Sequence, residues 1–185
     1  MRKLLISLIL LGALGGAAGF GAYSAFSDTT TRSSNSFAGG TVTLASNSAA
    51  TPIYSLTYRA PGDVGERCVR VTYSGSLSST VRLYRGSFSG GTGLDPYVTF
   101  AVSRGTGNQT DCSDFSSAAS VYSGTLAAFP STYAGGLVLQ NPSGSGTWSQ
   151  NDAVTYRITA TLQNDTRAQG LATGTHSFTW EARNQ

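Results

Sequence analysis

Two cysteines, one histidine and nine carboxylates are the side chains in this 185-residue chain with the most capacity for chemistry. Cys68 and Cys112 are the only thiols, and two thiolates supply just half of a tetrahedral zinc set. The single histidine, His176, is far away in sequence. One imidazole cannot furnish the two or three ligands of a catalytic zinc, and no His-Glu-x-x-His stretch occurs. The Ser143-Gly144-Ser145-Gly146 run is low-complexity sequence, and with one histidine it does not make a serine-hydrolase site. Asp111 and Asp114 flank Cys112, yet a calcium loop gathers more oxygens than these; their expected work is capping a turn around Ser113. The residues therefore offer no catalytic, metal or cofactor-binding set, and the chain reads as a non-enzyme without a cofactor. What remains is the thiol pair. In an oxidising compartment, Cys68 and Cys112 have one intramolecular connectivity, and closing a loop of that length stabilises a fold by about 4 kcal/mol in the chain-entropy treatment.

The compartment is written in the first residues. Met1-Arg2-Lys3 precedes an apolar and small-residue stretch from Leu4 to Phe20, followed by Gly21-Ala22-Tyr23-Ser24. A basic start, an apolar middle and small residues before the junction make a secretory signal peptide cleaved between Ser24 and Ala25. An uncleaved anchor is the competing reading, but glycines and alanines thin the second half of the stretch and no basic stop-transfer cluster follows. Only 11% of residues are charged. Without Arg2 and Lys3 the 12 basic residues fall to ten, all arginine, against nine acidic ones, so nothing favours nucleic acid as a partner. Membrane contact is expected only through the signal peptide before cleavage.

The elements that hold the cysteines follow from alternation. Residues 1–24 are the signal peptide, 25–36 an exposed polar arm, and 37–185 one β domain. Thr41 to Leu44 suits a first strand with Val42 and Leu44 inward, and Ile53 to Tyr58 a second. Pro61-Gly62-Asp63 supplies a turn. From Arg67 to Tyr73, Val69, Val71 and Tyr73 share one face and Cys68, Arg70 and Thr72 the other, which puts the disulfide on the face away from the core. Val81 to Arg85 and Tyr97 to Ser103 continue the pattern. The polar stretch between Arg104 and Ser120 is the loop the disulfide would hold down. Leu126 to Phe129 suits one helical turn. Val154 to Leu162 is the clearest strand, with the final Phe178-Thr179-Trp180-Glu181-Ala182 run as its expected partner and His176 exposed where that run begins. About eight strands, each with one apolar face, make an all-β antiparallel two-sheet sandwich of jelly-roll type.

Several stretches carry a family resemblance. Gly21-Ala22-Tyr23-Ser24-Ala25-Phe26-Ser27-Asp28, then Asn35-Ser36-Phe37-Ala38-Gly39-Gly40-Thr41-Val42-Thr43-Leu44, resembles the signal junction and first strand of the TasA and camelysin family of secreted bacterial proteins. Ala60-Pro61-Gly62-Asp63 and the closing Phe178-Thr179-Trp180-Glu181-Ala182 are similar to that family's internal turn and last strand. The arginine-rich, cysteine-paired version points to an actinobacterial branch, and the cysteines depart from better-known members. The resemblance implies a signal peptide of the SipW-dependent type, hence a signal peptidase as partner during export. It also implies a biofilm-matrix subunit that builds extracellular fibres by donating its N-terminal arm as a strand to a neighbour.

The expected function is thus a secreted structural protein of the cell surface or extracellular matrix, a homo-oligomer or fibre. Phe26 is the apolar anchor of the arm, and Thr29, Thr30 and Thr31 are its pleat-tolerant positions. The alternative is a secreted carbohydrate-binding or adhesion module in which the tyrosines at 54, 58, 73, 84, 97, 122, 133 and 156 line a sugar face. A camelysin-type metalloprotease is the weakest reading, for want of ligands.

Overall fold

The computed structural model describes residues 41–47 and 60–184, with the side chains of residues 87 and 88 left aside. The signal peptide, the arm and the expected Ile53 to Tyr58 strand lie outside the described residues. Among those described, nine strands form two antiparallel sheets: β1 (Leu44–Ser46), β2 (Val64–Tyr73), β3 (Ser79–Ser89), β4 (Val98–Thr106), β5 (Ser116–Thr125), β6 (Leu137–Val138), β7 (Thr147–Trp148), β8 (Ala153–Leu162) and β9 (Thr175–Asn184). The first sheet runs β1-β2-β8-β4-β5. In the second, β3 pairs with β9 on one side and with the short β6 and β7 on the other. The all-β two-sheet sandwich is as the alternation predicted.

The period-2 pattern sets the faces. In β2, Val69, Val71 and Tyr73 are buried, and their register partners in β8, Tyr156 and Val154, are buried with them. Phe100 and Val102 of β4 lie opposite Ala160 and Ile158, also on the inner face. Val81 and Leu83 of β3, with Trp148, close the core from the second sheet. Three aromatic rings lock one end: Phe100 stacks on Phe178 at 5.1 Å between centroids, and Phe129 meets both edge-on.

Four expectations need correction. The first strand is Leu44–Ser46, and Val42 is exposed rather than inward, because residues 41 and 43 serve the turn after β2. There the Ser74 N–H donates to Thr43 O, the Leu77 N–H to Thr41 O, and the Thr41 N–H to Ser76 Oγ. β8 does not pair with β9. It lies between β2 and β4, and β9 takes β3, a choice that alternation cannot make because any apolar-faced strand matches any other. Leu126 to Phe129 forms no helix but a single turn that drops Leu126 and Phe129 into the core. His176 begins the last strand as expected, but its side chain is only 3% exposed. Among the described residues, no helix is long and apolar enough to cross a membrane.

The Ala60–Asp63 turn is as predicted. Pro61 sets the first central dihedral, and Gly62 takes φ +87°, closed by an Asp63 N–H bond to Ala60 O.

Candidate functional site

Cys68 is bonded to Cys112, with Cα atoms 5.1 Å apart. Cys68 sits on the outer face of β2, as the alternation predicted, and Cys112 on the β4–β5 loop. That loop folds back across the outer face of the first sheet, over β8, to the far edge of β2. There the Cys68 N–H donates to Thr110 O at 3.0 Å. Gly107 O anchors its base, accepting from Thr155 Oγ1 and from Arg70 Nη1. Asn47, at the end of β1, donates through Nδ2 to Asn108 O and accepts the Arg70 N–H.

The loop is stiffened from within. Asp114 accepts the Asn108 and Gln109 N–H groups, and Asp111 accepts from Ser113 N–H and Oγ. These donors favour the ionised carboxylates and hold both below the usual range. The two aspartates are turn caps, and among the described residues no group of three or more His, Cys, Asp or Glu could hold a metal ion. Phe115 packs under the Arg157 guanidinium at 4.9 Å and against Gly105, where a Cβ would collide with its ring and with Ser116 O. Cys112 adopts φ +63°, a conformation that side-chain-bearing residues rarely take.

A second cluster gathers under the turn before β4. Arg85 Nη1 bonds Asp95 Oδ2 at 2.8 Å, and His176 Nε2 lies 3.9 Å from Asp95 Oδ1. Burial lowers the His176 pKa; Asp95 opposes this and Arg85 adds to it. The imidazole and the carboxylate, the latter tied to an arginine, thus pack together at the start of β9.

The described tyrosines have separate surroundings. Tyr73 and Tyr156 are fully buried, their hydroxyls donating to Leu77 O and Gln140 O. Burial pushes the Tyr156 pKa strongly upward. Tyr84 donates to Glu181 at 2.6 Å, Tyr122 packs edge-on to Phe129, and Arg167 lies over Tyr97. Tyr133 is flanked by Arg82 at 5.1 Å and Arg183 at 3.8 Å from its centroid. Tyr54 and Tyr58, like Ser24, Ala25, Phe26, Thr29, Thr30 and Thr31, lie outside the described residues.

The sheet edges differ in how well they could pair with another strand. β5 is broken by two register shifts against β4, and bulges of this kind spoil an edge as a template. β2 is covered by β1 over Val71–Tyr73 and by Thr110 at Cys68. β9 keeps unbroken register with β3 from Phe178 to Asn184, and among the described residues no strand pairs with its other side. Its inward Phe178, Trp180 and Ala182 are only partly buried. Alternation along the sequence could not reveal this edge, since it does not say which strand ends a sheet. Arg67 and Arg104 also face inward, and each shares its parity with apolar neighbours, Val69 and Val71 for one and Phe100 and Val102 for the other.

Among the described residues the architecture is a disulfide-pinned, all-β sandwich whose β9 edge keeps its register from Phe178 to Asn184. No protein-family model matches the chain, and no curated protein matches it.

Proposed function

We propose that the chain is an exported structural protein of the cell surface or extracellular matrix that self-associates into oligomers or fibres, without enzymatic activity. The observation that carries this reading is β9, which among the described residues is an edge in unbroken register with β3 from Phe178 to Asn184 and carries the half-covered Trp180, whereas the β5 edge is bulged. An extended strand laid along β9 between Thr179 and Asn184 would pair with its outward backbone groups and cover Trp180 further. The arm at residues 25–36 is proline-free and rich in threonine, and can reach about 40 Å when extended. Export supports the same picture, because a disulfide is compatible with an extracellular location. Signal cleavage between Ser24 and Ala25 would free the arm and so permit assembly.

The test compares the protein beginning at Ala25 with its Thr30→Pro variant by electron microscopy and light scattering. Proline removes one ladder donor from the arm without touching the sandwich. The variant should stay monomeric with an unchanged melting temperature while the parent assembles. Equal assembly of the two would refute strand addition, and a parent that stays monomeric at high concentration would refute self-association.

A further inference from the structure

The hydrogen-bonding pattern on the free side of β9 follows from that of its neighbour. In β3, Val81 O accepts the Leu139 N–H and the Arg85 N–H donates to Pro130 O, bonds that leave β9 out. Backbone groups alternate sides along a strand, so Thr80, Arg82 and Tyr84 aim theirs at β9, at their register partners Arg183, Glu181 and Thr179. Trp180, Ala182 and Asn184 therefore turn their N–H and C=O groups the other way, where no strand lies among the described residues.

The charges of the strand stand between those residues. Glu181 and Arg183 share the outer face of β9: Arg183 Nε donates to Glu181 Oε1 at 2.7 Å, and Glu181 Oε2 accepts from the Tyr84 hydroxyl at 2.6 Å. The Arg183 guanidinium lies over Tyr133, 3.8 Å from the ring centroid, and its side chain is still 57% exposed. Its Nη groups make no hydrogen bond among the described residues. A guanidinium held in place with its fork open is matched best by a carboxylate.

The order of these residues suits a copy of the same strand. We propose that two copies of the chain pair β9 with β9, antiparallel about a two-fold axis at Ala182, so that one sheet runs through the dimer. Ala182 then bonds Ala182 of the second copy, and Trp180 bonds Asn184 of the second copy, through the outward backbone groups. The pairs between these, where side chains approach most closely, set Glu181 against Arg183 of the second copy and Arg183 against Glu181 of the second copy. Moving the axis by one residue brings two glutamates or two arginines face to face at its centre, and moving it to Trp180 leaves both charges opposite uncharged residues. Trp180, whose indole N–H has no partner among the described residues, comes opposite an asparagine amide in the favoured register. The proposal rests on the reading of β9 as an open edge for self-association and goes beyond it by naming a strand that lies within the sandwich. One short ladder falls below the size of a stable interface, so the pairing is weak, and a donated arm must displace it to reach the same edge.

The protein beginning at Ala25 and carrying Thr30→Pro, its arm disabled, isolates this contact. In sedimentation equilibrium it should be monomeric at about 10 μM and form dimers as its concentration approaches about 1 mM. In the dimer the Trp180, Ala182 and Asn184 amides should exchange more slowly, while those of Thr179, Glu181 and Arg183, already directed at β3, should not change. Glu181→Arg and Arg183→Glu should each weaken dimerisation about tenfold, and an equimolar mixture of the two should recover it, because each chain then faces the opposite charge. Raising NaCl from about 0.05 M to about 0.5 M should weaken the unsubstituted dimer, a measurement that needs no variant. A mixture no better than either folded variant alone overturns the register, and salt-insensitive pairing overturns it even where a variant fails to fold. A Thr30→Pro protein that is still monomeric at about 1 mM overturns β9 pairing and leaves arm addition standing on the behaviour of the parent. If the parent is monomeric there as well, both fall.

Discussion

His176 shows how context reverses the meaning of a residue. Its position at the start of a strand suggested exposure, but the register of β9 on β3 and the Asp95 turn bury it, and burial disfavours the charged imidazole. The pKa is lower in the folded protein than in the unfolded chain, so the associated stability is present above the unfolded value near 6.5 and is lost as pH falls through the folded value. We predict that the urea midpoint drops as pH is taken from about 7 to about 5, and that His176→Gln flattens this part of the profile. An unchanged slope in the variant would assign the decline elsewhere. The carboxylates of Asp111, Asp114, Asp165 and Glu181, all held below their usual range, act in a lower window. Gly105 makes a second residue-scale test. Its missing side chain is the space taken by Phe115 and Ser116 O, so Gly105→Ala should destabilise by about 1–3 kcal/mol through overpacking, read from chemical denaturation.

At the scale of elements, the two-residue strands β6 and β7 are too short to matter by their ladders alone. They are held by Trp148, which is fully buried and donates its indole N–H to Leu139 O at 2.8 Å. Around them Asn141 organises the turn, its Oδ1 accepting from Ser143 and Ser145 and its Nδ2 donating to Asp152. Trp148→Ala should cost about 3–5 kcal/mol, whereas Asn141→Ala, which removes a hub of hydrogen bonds at the edge of the core, should cost about 1–3 kcal/mol. Thermal denaturation of the two variants checks the order. A smaller loss for Trp148→Ala than for Asn141→Ala would mean that the 137–148 segment is held by its turn and not by its core anchor.

For the whole molecule, the disulfide links the β4–β5 loop to the opposite side of the sheet across β8, a connection that constrains the unfolded chain over 44 residues. The double Cys68→Ser, Cys112→Ser variant should lose about 2–4 kcal/mol and melt several degrees lower, and non-reducing peptide mapping should recover the two cysteines in one linked fragment. Melting at the parent temperature would mean that the loop's hydrogen bonds to Arg70, Thr155 and Asn47 suffice. Because Thr110 also covers the Cys68 N–H at the β2 edge, the same variant should bind added strands less selectively than the oxidised parent, which side-by-side self-association measurements without reductant can follow.

Sequence alone settled what depends on local periodicity and counting. The all-β class, the inward faces of β2, β8 and β9, the Pro61-Gly62 turn and the single possible cysteine pairing all follow from alternation, turn chemistry and the presence of just two thiols. It did not settle which strand lies beside which, because apolar-faced strands are interchangeable to a pattern with period two, and pairing is decided by loop lengths and side-chain volumes summed across the whole core. That choice made β9 an edge among the described residues and buried His176. Candidate interaction sites arise from such juxtapositions of distant segments, and only the tertiary structure decides them.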